Sequence, residues 1–143
     1  MELTTDIKRL SASALAYLGD AVYELHVRRL LLEPPKRTHD YHQAVVDRVR
    51  ATAQSDVLQA LHDRLSPDEL AIVQRGKNQC GRIPRNVDPQ TYRQASGFEA
   101  LLGFLYLSDP QRLSEVLAES DRSTTSDPTK PYRSEPSASN ENE

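Results

Sequence analysis

An all-helical fold is the class this sequence predicts, and three observations carry the prediction. Apolar residues recur three, four and seven places apart along most of the chain, the spacing that gathers one stripe of a helix. No run of useful length alternates apolar and polar residues as a half-buried strand does. Helix punctuation separates the periodic stretches: a proline pair, a Ser-Pro-Asp-Glu box and an Asp-Pro step.

The elements follow in order. The first helix is expected from Ser13 to Leu31, with Ser11 or Ser13 as its cap and Leu15, Leu18, Val22 and Leu25 as its apolar stripe. Pro34-Pro35 ends it, because a residue preceding proline avoids the α region. Thr38 caps a second helix that carries Tyr41, Ala44, Val45 and Val49 and is expected to run on to Leu61. Ser66-Pro67-Asp68-Glu69 has a cap residue, proline at the first helical position and glutamate at the third, so it opens a helix that reaches about Arg75. Residues 76–89 read as a loop, with Gly76, Gly81, Pro84 and Pro89 among basic and amide side chains. From Pro89 or Gln90 a further helix carries Phe98, Leu101, Leu102 and Leu105. Asp109-Pro110 opens a last one with Leu113, Val116 and Leu117.

Composition bounds the rest. A chain of 143 residues makes one domain of ordinary size. Its hydrophobic share of 37% lies below the usual ~45–50%, and the shortfall is partly local. From Ser120 to Glu143 the large apolar side chain is Tyr132 alone, too little to offset the entropy of ordering. Residues 1–119 are therefore expected to form the domain and 120–143 a disordered polar tail. The single cysteine, Cys80, excludes a disulfide scaffold and a cysteine-based zinc cluster. The start, MELTTDIKRL, lacks the apolar stretch of a signal peptide, and no run approaches the ~20 apolar residues of a membrane span. A soluble, cytoplasmic protein without a membrane partner is the expectation.

Net charge is −3, yet the charge is unevenly spread. Between Arg75 and Arg93 stand Arg75, Lys77, Arg82, Arg85 and Arg93 against Asp88 alone. Local fields of this kind matter more than the sum. These cations can meet phosphates, and Asn78, Gln79 and Asn86 can reach ribose hydroxyls or base edges; a loop charged only for solubility is the plainer alternative. Arg28-Arg29 and Lys36-Arg37 are weaker candidates, and the first pair also complements a helix C-terminus.

Two acids stand out. Asp20 is expected opposite the Leu15–Leu25 stripe, with Glu24 one turn on. Glu99 flanks the Phe98–Leu102–Leu105 stripe beside Ser96. Pattern alone leaves each open between a ligand and a solvated residue, the usual fate of these side chains. Gly19 and Gly103 sit beside them inside helices, at about 1 kcal/mol each against alanine. That suggests close approach of another backbone or of a ligand, or packing alone. His26, His39, His42 and His62 show neither triad nor zinc spacing.

Leu-Ala-Tyr-Leu-Gly-Asp-Ala-Val-Tyr-Glu (Leu15 to Glu24), followed far downstream by Gly-Phe-Glu-Ala-Leu-Leu-Gly-Phe-Leu-Tyr-Leu (Gly97 to Leu107), resembles the ribonuclease III catalytic domain. Arg75-Gly76-Lys77-Asn78, Pro84-Arg85-Asn86-Val87-Asp88 and Thr91-Tyr92-Arg93 are similar to the Mini-ribonuclease III branch, which lacks a double-stranded RNA-binding domain. The likeness covers about Leu10 to Glu119. It implies a ribonuclease III endonuclease domain-like helical fold assembled as a two-fold homodimer. It implies Mg²⁺ held by the catalytic acids Asp20 and Glu99, with Glu24 and Ser96 as outer contacts. Ordinary family members carry further acids at the places held here by Ser13, Ala16 and Ser96, so of these five places only Asp20 and Glu99 keep an acid. Arg75, Lys77, Asn78, Arg82, Arg85, Asn86 and Arg93 would bind RNA. The implied activity is Mg²⁺-dependent endonucleolytic cleavage of double-stranded RNA to staggered ends, in maturation of precursor 23S ribosomal RNA. Tyr17, Ala21 and Val27 widen the apolar side of the first helix and suit an isologous contact.

Rival readings are a catalytically silent helical RNA-binding dimer and a helical protein-interaction module. A DNA-binding helix-turn-helix fits less well, since the positive charge falls on a loop.

Overall fold

A computed structural model describes residues 3–124, and all of their regular structure is helical. The helices are α1 (Ala12–Leu30), α2 (Thr38–Val49), α3 (Ala51–Leu61), α4 (Pro67–Asn78), α5 (Pro89–Ser108) and α6 (Pro110–Thr124). Single 3₁₀ turns stand at Ile7–Arg9 and His62–Arg64.

α5 is the axis of the domain. It is apolar around most of its circumference, and Ala95, Gly97, Phe98, Ala100, Leu101, Leu102, Gly103 and Leu105 are all buried. A helix of that kind needs neighbours on several sides. α1, α4, α3 and α6 supply them. Tyr23 of α1 meets Phe98 edge to face, ring centroids 5.2 Å apart. Val45, Val57, Leu58, Leu61, Val73, Leu113 and Val116 complete the core.

Caps set several of the boundaries. Ser11 accepts from the Ala14 N–H, Ser66 and Glu69 form the reciprocal box, and Asp88 accepts from Thr91. Asp109 accepts from the Arg112 N–H at the start of α6.

Five expectations change. The buried face of α1 is Ala12, Leu15, Gly19, Tyr23 and Val27, whereas Leu25 is 71% exposed. The core line is therefore rotated from the Leu-Val stripe, because a glycine and a tyrosine occupy the closest contact with α5. The helix expected from Thr38 to Leu61 breaks at Arg50, whose extended backbone separates α2 from α3. Thr38 is the first helical residue and Arg37 takes the cap position without a side-chain bond. α4 continues past Arg75 to Asn78, since Gly76 lets it lie against Ser96, Gly97 and Ala100 of α5. α6 continues past Glu119: Ser120 is fully buried, and Asp121 pairs with His26 at 3.0 Å and Arg48 at 3.4 Å. The folded unit thus extends through Thr124, and the remainder of the expected tail lies outside the described residues.

Candidate active site

The site begins with two helices that almost touch. At Gly19 of α1 a Cβ would lie 1.7 Å from the Glu99 carbonyl oxygen. At Gly103 of α5 a Cβ would lie 2.0 Å from the Leu15 carbonyl oxygen. No other residue type fits either position. The glycines that flank the two acids are therefore the means by which the acids come together.

Asp20 stands at the exposed margin of the α1–α5 seam, next to Gly19, and not on the far side of its helix. Glu99 reaches the same cleft, a concavity of about 310 Å³. Burial, and then the negative charge of Asp20, push the Glu99 carboxyl up to about 8. Burial, and then Glu24, push Asp20 up as well. No hydrogen-bond donor among the described residues relieves either carboxylate. Two like charges that face each other without a donor fit an oxygen-seeking divalent cation, which commonly uses one or two protein carboxylates plus water and phosphate. No third acid, histidine or cysteine joins them into a larger ligand cluster among the described residues.

Ser13, Ala16 and Ser96, the positions where further acids were absent, all line this cleft. Ser13, Ala16 and Asp20 follow at helical spacing on α1, as do Tyr92, Ser96 and Glu99 on α5. The α1 wall is latched to the end of α4: Ser13 Oγ donates to the Gln79 carbonyl at 2.6 Å, and the Ala12 N–H donates to Gln79 Oε1 at 3.3 Å. Glu24 does not line the cleft. It pairs with Arg28, Nη2 to Oε1 at 3.3 Å, and acts on Asp20 through its charge.

The basic segment divides. Lys77, Asn78 and Arg93 line a neighbouring groove of about 680 Å³, with Gln74, Gln90 and Ile83. Cys80 lines both groove and cleft, so the two concavities adjoin. Arg82, Arg85 and Asn86 are exposed on the loop beyond. Arg75 is half-buried and donates through Nη2 to the Leu10 carbonyl at 3.2 Å, which places it beside the entry of α1.

Gln54 and Tyr92 were missed by sequence reasoning, and both line the cleft. Tyr92 was legible as the residue seven before Glu99 on the same helical face. Gln54 had no local signal, because α3 reaches the cleft only through the break at Arg50.

Two central helices packed glycine against backbone, with an acid near each contact, frame the site. The Ribonuclease III domain model matches residues 13–110, and the chain belongs to the ribonuclease III family, a family of endoribonucleases. Within it, the chain is similar to proteins named Mini-ribonuclease 3. The one from a Synechococcus strain is 53% identical over 112 residues, 78% of this chain and 81% of that protein. The one from Gloeobacter violaceus is 50% identical over 111 residues, 78% of this chain and 82% of that protein. The crystal structure of the protein FN1578 from Fusobacterium nucleatum superposes with a TM-score of 0.75 at 27% identity, covering 83% of this chain and 98% of that one.

Proposed function

We propose that this chain cuts double-stranded RNA endonucleolytically, with Asp20 and Glu99 holding Mg²⁺ in the cleft. The observation that carries the reading is the convergence of these two donor-less carboxylates in a cleft that adjoins a basic groove. Mg²⁺, when bound, supplies a more acidic water and neutralises charge that develops on the scissile phosphate.

The chain's own groups do the remaining work. Glu99 would hold the cation in its deprotonated form, and burial and the facing Asp20 raise its pKa to about 8 in the cation's absence. Ser96 stands one turn from Glu99 in the cleft wall, where its hydroxyl suits an outer contact to water. Glu24 adds negative charge behind Asp20 and is itself held by Arg28. Lys77, Arg93 and Asn78 in the groove, with Arg82, Arg85 and Asn86 on the loop, suit phosphates and ribose hydroxyls across a shallow duplex groove. Affinity resting on such contacts falls with salt.

One acid pair serves one strand, so cutting both calls for two sites. Along α1, Tyr17, Ala21 and Leu25 form an exposed line four residues apart, Tyr17 being 85% exposed. That line supports an isologous homodimer. Val27, the other residue first considered for this surface, is fully buried in the core. The setting we propose, maturation of precursor 23S ribosomal RNA in the cytoplasm, is what the resemblance of the Leu15–Glu24 and Gly97–Leu107 motifs implies; among the described residues no helix is long and apolar enough to cross a membrane.

The test is incubation of the full chain with long duplex RNA, with and without Mg²⁺, followed by sizing of the products. Short duplex products that require Mg²⁺ and vanish in Asp20→Asn support the proposal. Tight duplex binding with no cleavage under any condition favours the silent RNA-binding dimer instead.

A further inference from the structure

Arg28 is the cation nearest to the acid cleft on its own helix flank. It follows Asp20 and Glu24 at intervals of four residues, so the three drift gradually around one side of α1. Eight residues of helix rise about 12 Å, a length a duplex spans in roughly four phosphates of one strand. The guanidinium spends one donor, Nη2, on Glu24. The side chain is 61% exposed, and no other partner engages its fork among the described residues. A guanidinium anchored at one corner and open at the other is suited to a phosphate, which takes two parallel donors.

Arg29 is the internal comparison. It carries the same charge one residue on, and helical geometry turns it to the side of α1 away from Asp20. A purely long-range attraction treats the two arginines alike, whereas a contact distinguishes them.

We infer that Arg28, oriented by Glu24, binds a backbone phosphate of the RNA strand that enters the Asp20–Glu99 cleft, and so extends the RNA track along α1 away from the basic groove. This rests on the duplex-RNA reading above. It assigns Arg28 to substrate binding and not to the chemical step, and it gives Glu24 a second role as the anchor of that arginine.

The experiment measures duplex-RNA binding in Ca²⁺ and cleavage in Mg²⁺ for the full chain and for Arg28→Ala, Arg28→Lys and Arg29→Ala, after circular dichroism has shown each to be folded. Arg28→Ala is expected to raise Kd and KM roughly 5–20-fold, to leave kcat within about twofold, and to flatten the slope of log affinity against log salt by about 0.9, one phosphate's worth. Arg28→Lys is expected to recover part of the loss, and Arg29→Ala to stay within about twofold throughout. Equal losses in Arg28→Ala and Arg29→Ala would overturn the contact. So would a fall in kcat at unchanged KM, which would place Arg28 behind Glu24 in the acid site. If the parent chain binds duplex RNA but does not cut it, the nuclease reading fails while the binding arm still judges Arg28. If it does not bind duplex RNA, both fall together.

Discussion

Glu99 owes its titration to its neighbours. A glutamate in water ionises near 4.5, and here burial beside Asp20 moves it to about 8. The folded chain therefore holds a proton that the unfolded chain has released between these two values. Its stability falls as pH rises through that window, since the native state binds more protons than the unfolded one. Glu99→Gln removes the ionisable group and with it this loss. The metal-free variant is expected to melt on the order of 5 °C above the parent at pH 8, with little difference at pH 5, as differential scanning calorimetry can measure. The same proton competes with a cation, so the Mg²⁺ concentration for half-maximal cleavage should drop as pH rises from 6 to 8.5. A half-saturation point independent of pH would place the cation elsewhere. None of this was legible from one helix, because the displacement of Glu99 comes first from burial under elements distant in the chain and then from Asp20, 79 positions away.

At the scale of elements, the α1–α5 crossing and the α4–α6 clamp carry the argument. Gly19→Ala and Gly103→Ala each put a methyl group where backbone already stands. Either variant is expected to lose about 3 kcal/mol or more, or to fold with the helices parted and cleavage abolished. Gly81→Ala is the contrast: its φ of +74° strains a side chain, but the space around it is open. It should cost about 1 kcal/mol by urea titration and spare the cleft. The clamp is Arg112 of α6, which donates through Nε and Nη2 to Glu69 at 2.9 Å and also to the Arg64 carbonyl. These bonds hold the Glu69 carboxyl below its ordinary value. The stability it adds is present above the unfolded pKa near 4.5 and is lost as pH falls through the folded one. Glu69→Gln should lower stability at pH 7 by about 2 kcal/mol and less at pH 3. The helices themselves were readable from periodicity and caps. Two helix ends were not, since α4 and α6 run on because of burial against other elements, at Gly76 and at Ser120. The facing of α1 was misread because its closest contact is made by a glycine, which no hydrophobic pattern weighs.

Across the whole molecule, the C-terminal turn of α6 ties the far end of the domain to the site helix. Asp121 joins His26 of α1 and Arg48 of α2, and Ser120 is buried beneath them. Truncation after Glu119, where composition alone places the domain boundary, should lower Tm by roughly 5 °C, and Asp121→Asn in the full chain should reproduce part of that loss. An unchanged Tm in the truncated chain would mean this turn merely rests on the surface. The pairing of Asp20 with Glu99 was legible from two motifs and their likeness to a family. The cleft's other walls, at Gln79 and Gln54, arise from contacts between segments far apart in the chain.

The account stands on a single shared cation between α1 and α5. Titration calorimetry of Mn²⁺, as a tighter-binding substitute for Mg²⁺, into the full chain at pH 7 in two buffers of different ionisation enthalpy tests it directly. It should show about one proton released per cation bound in the parent protein, and binding weakened at least tenfold in both Asp20→Asn and Glu99→Gln. Undiminished binding in either variant, or uptake without proton release, would contradict it.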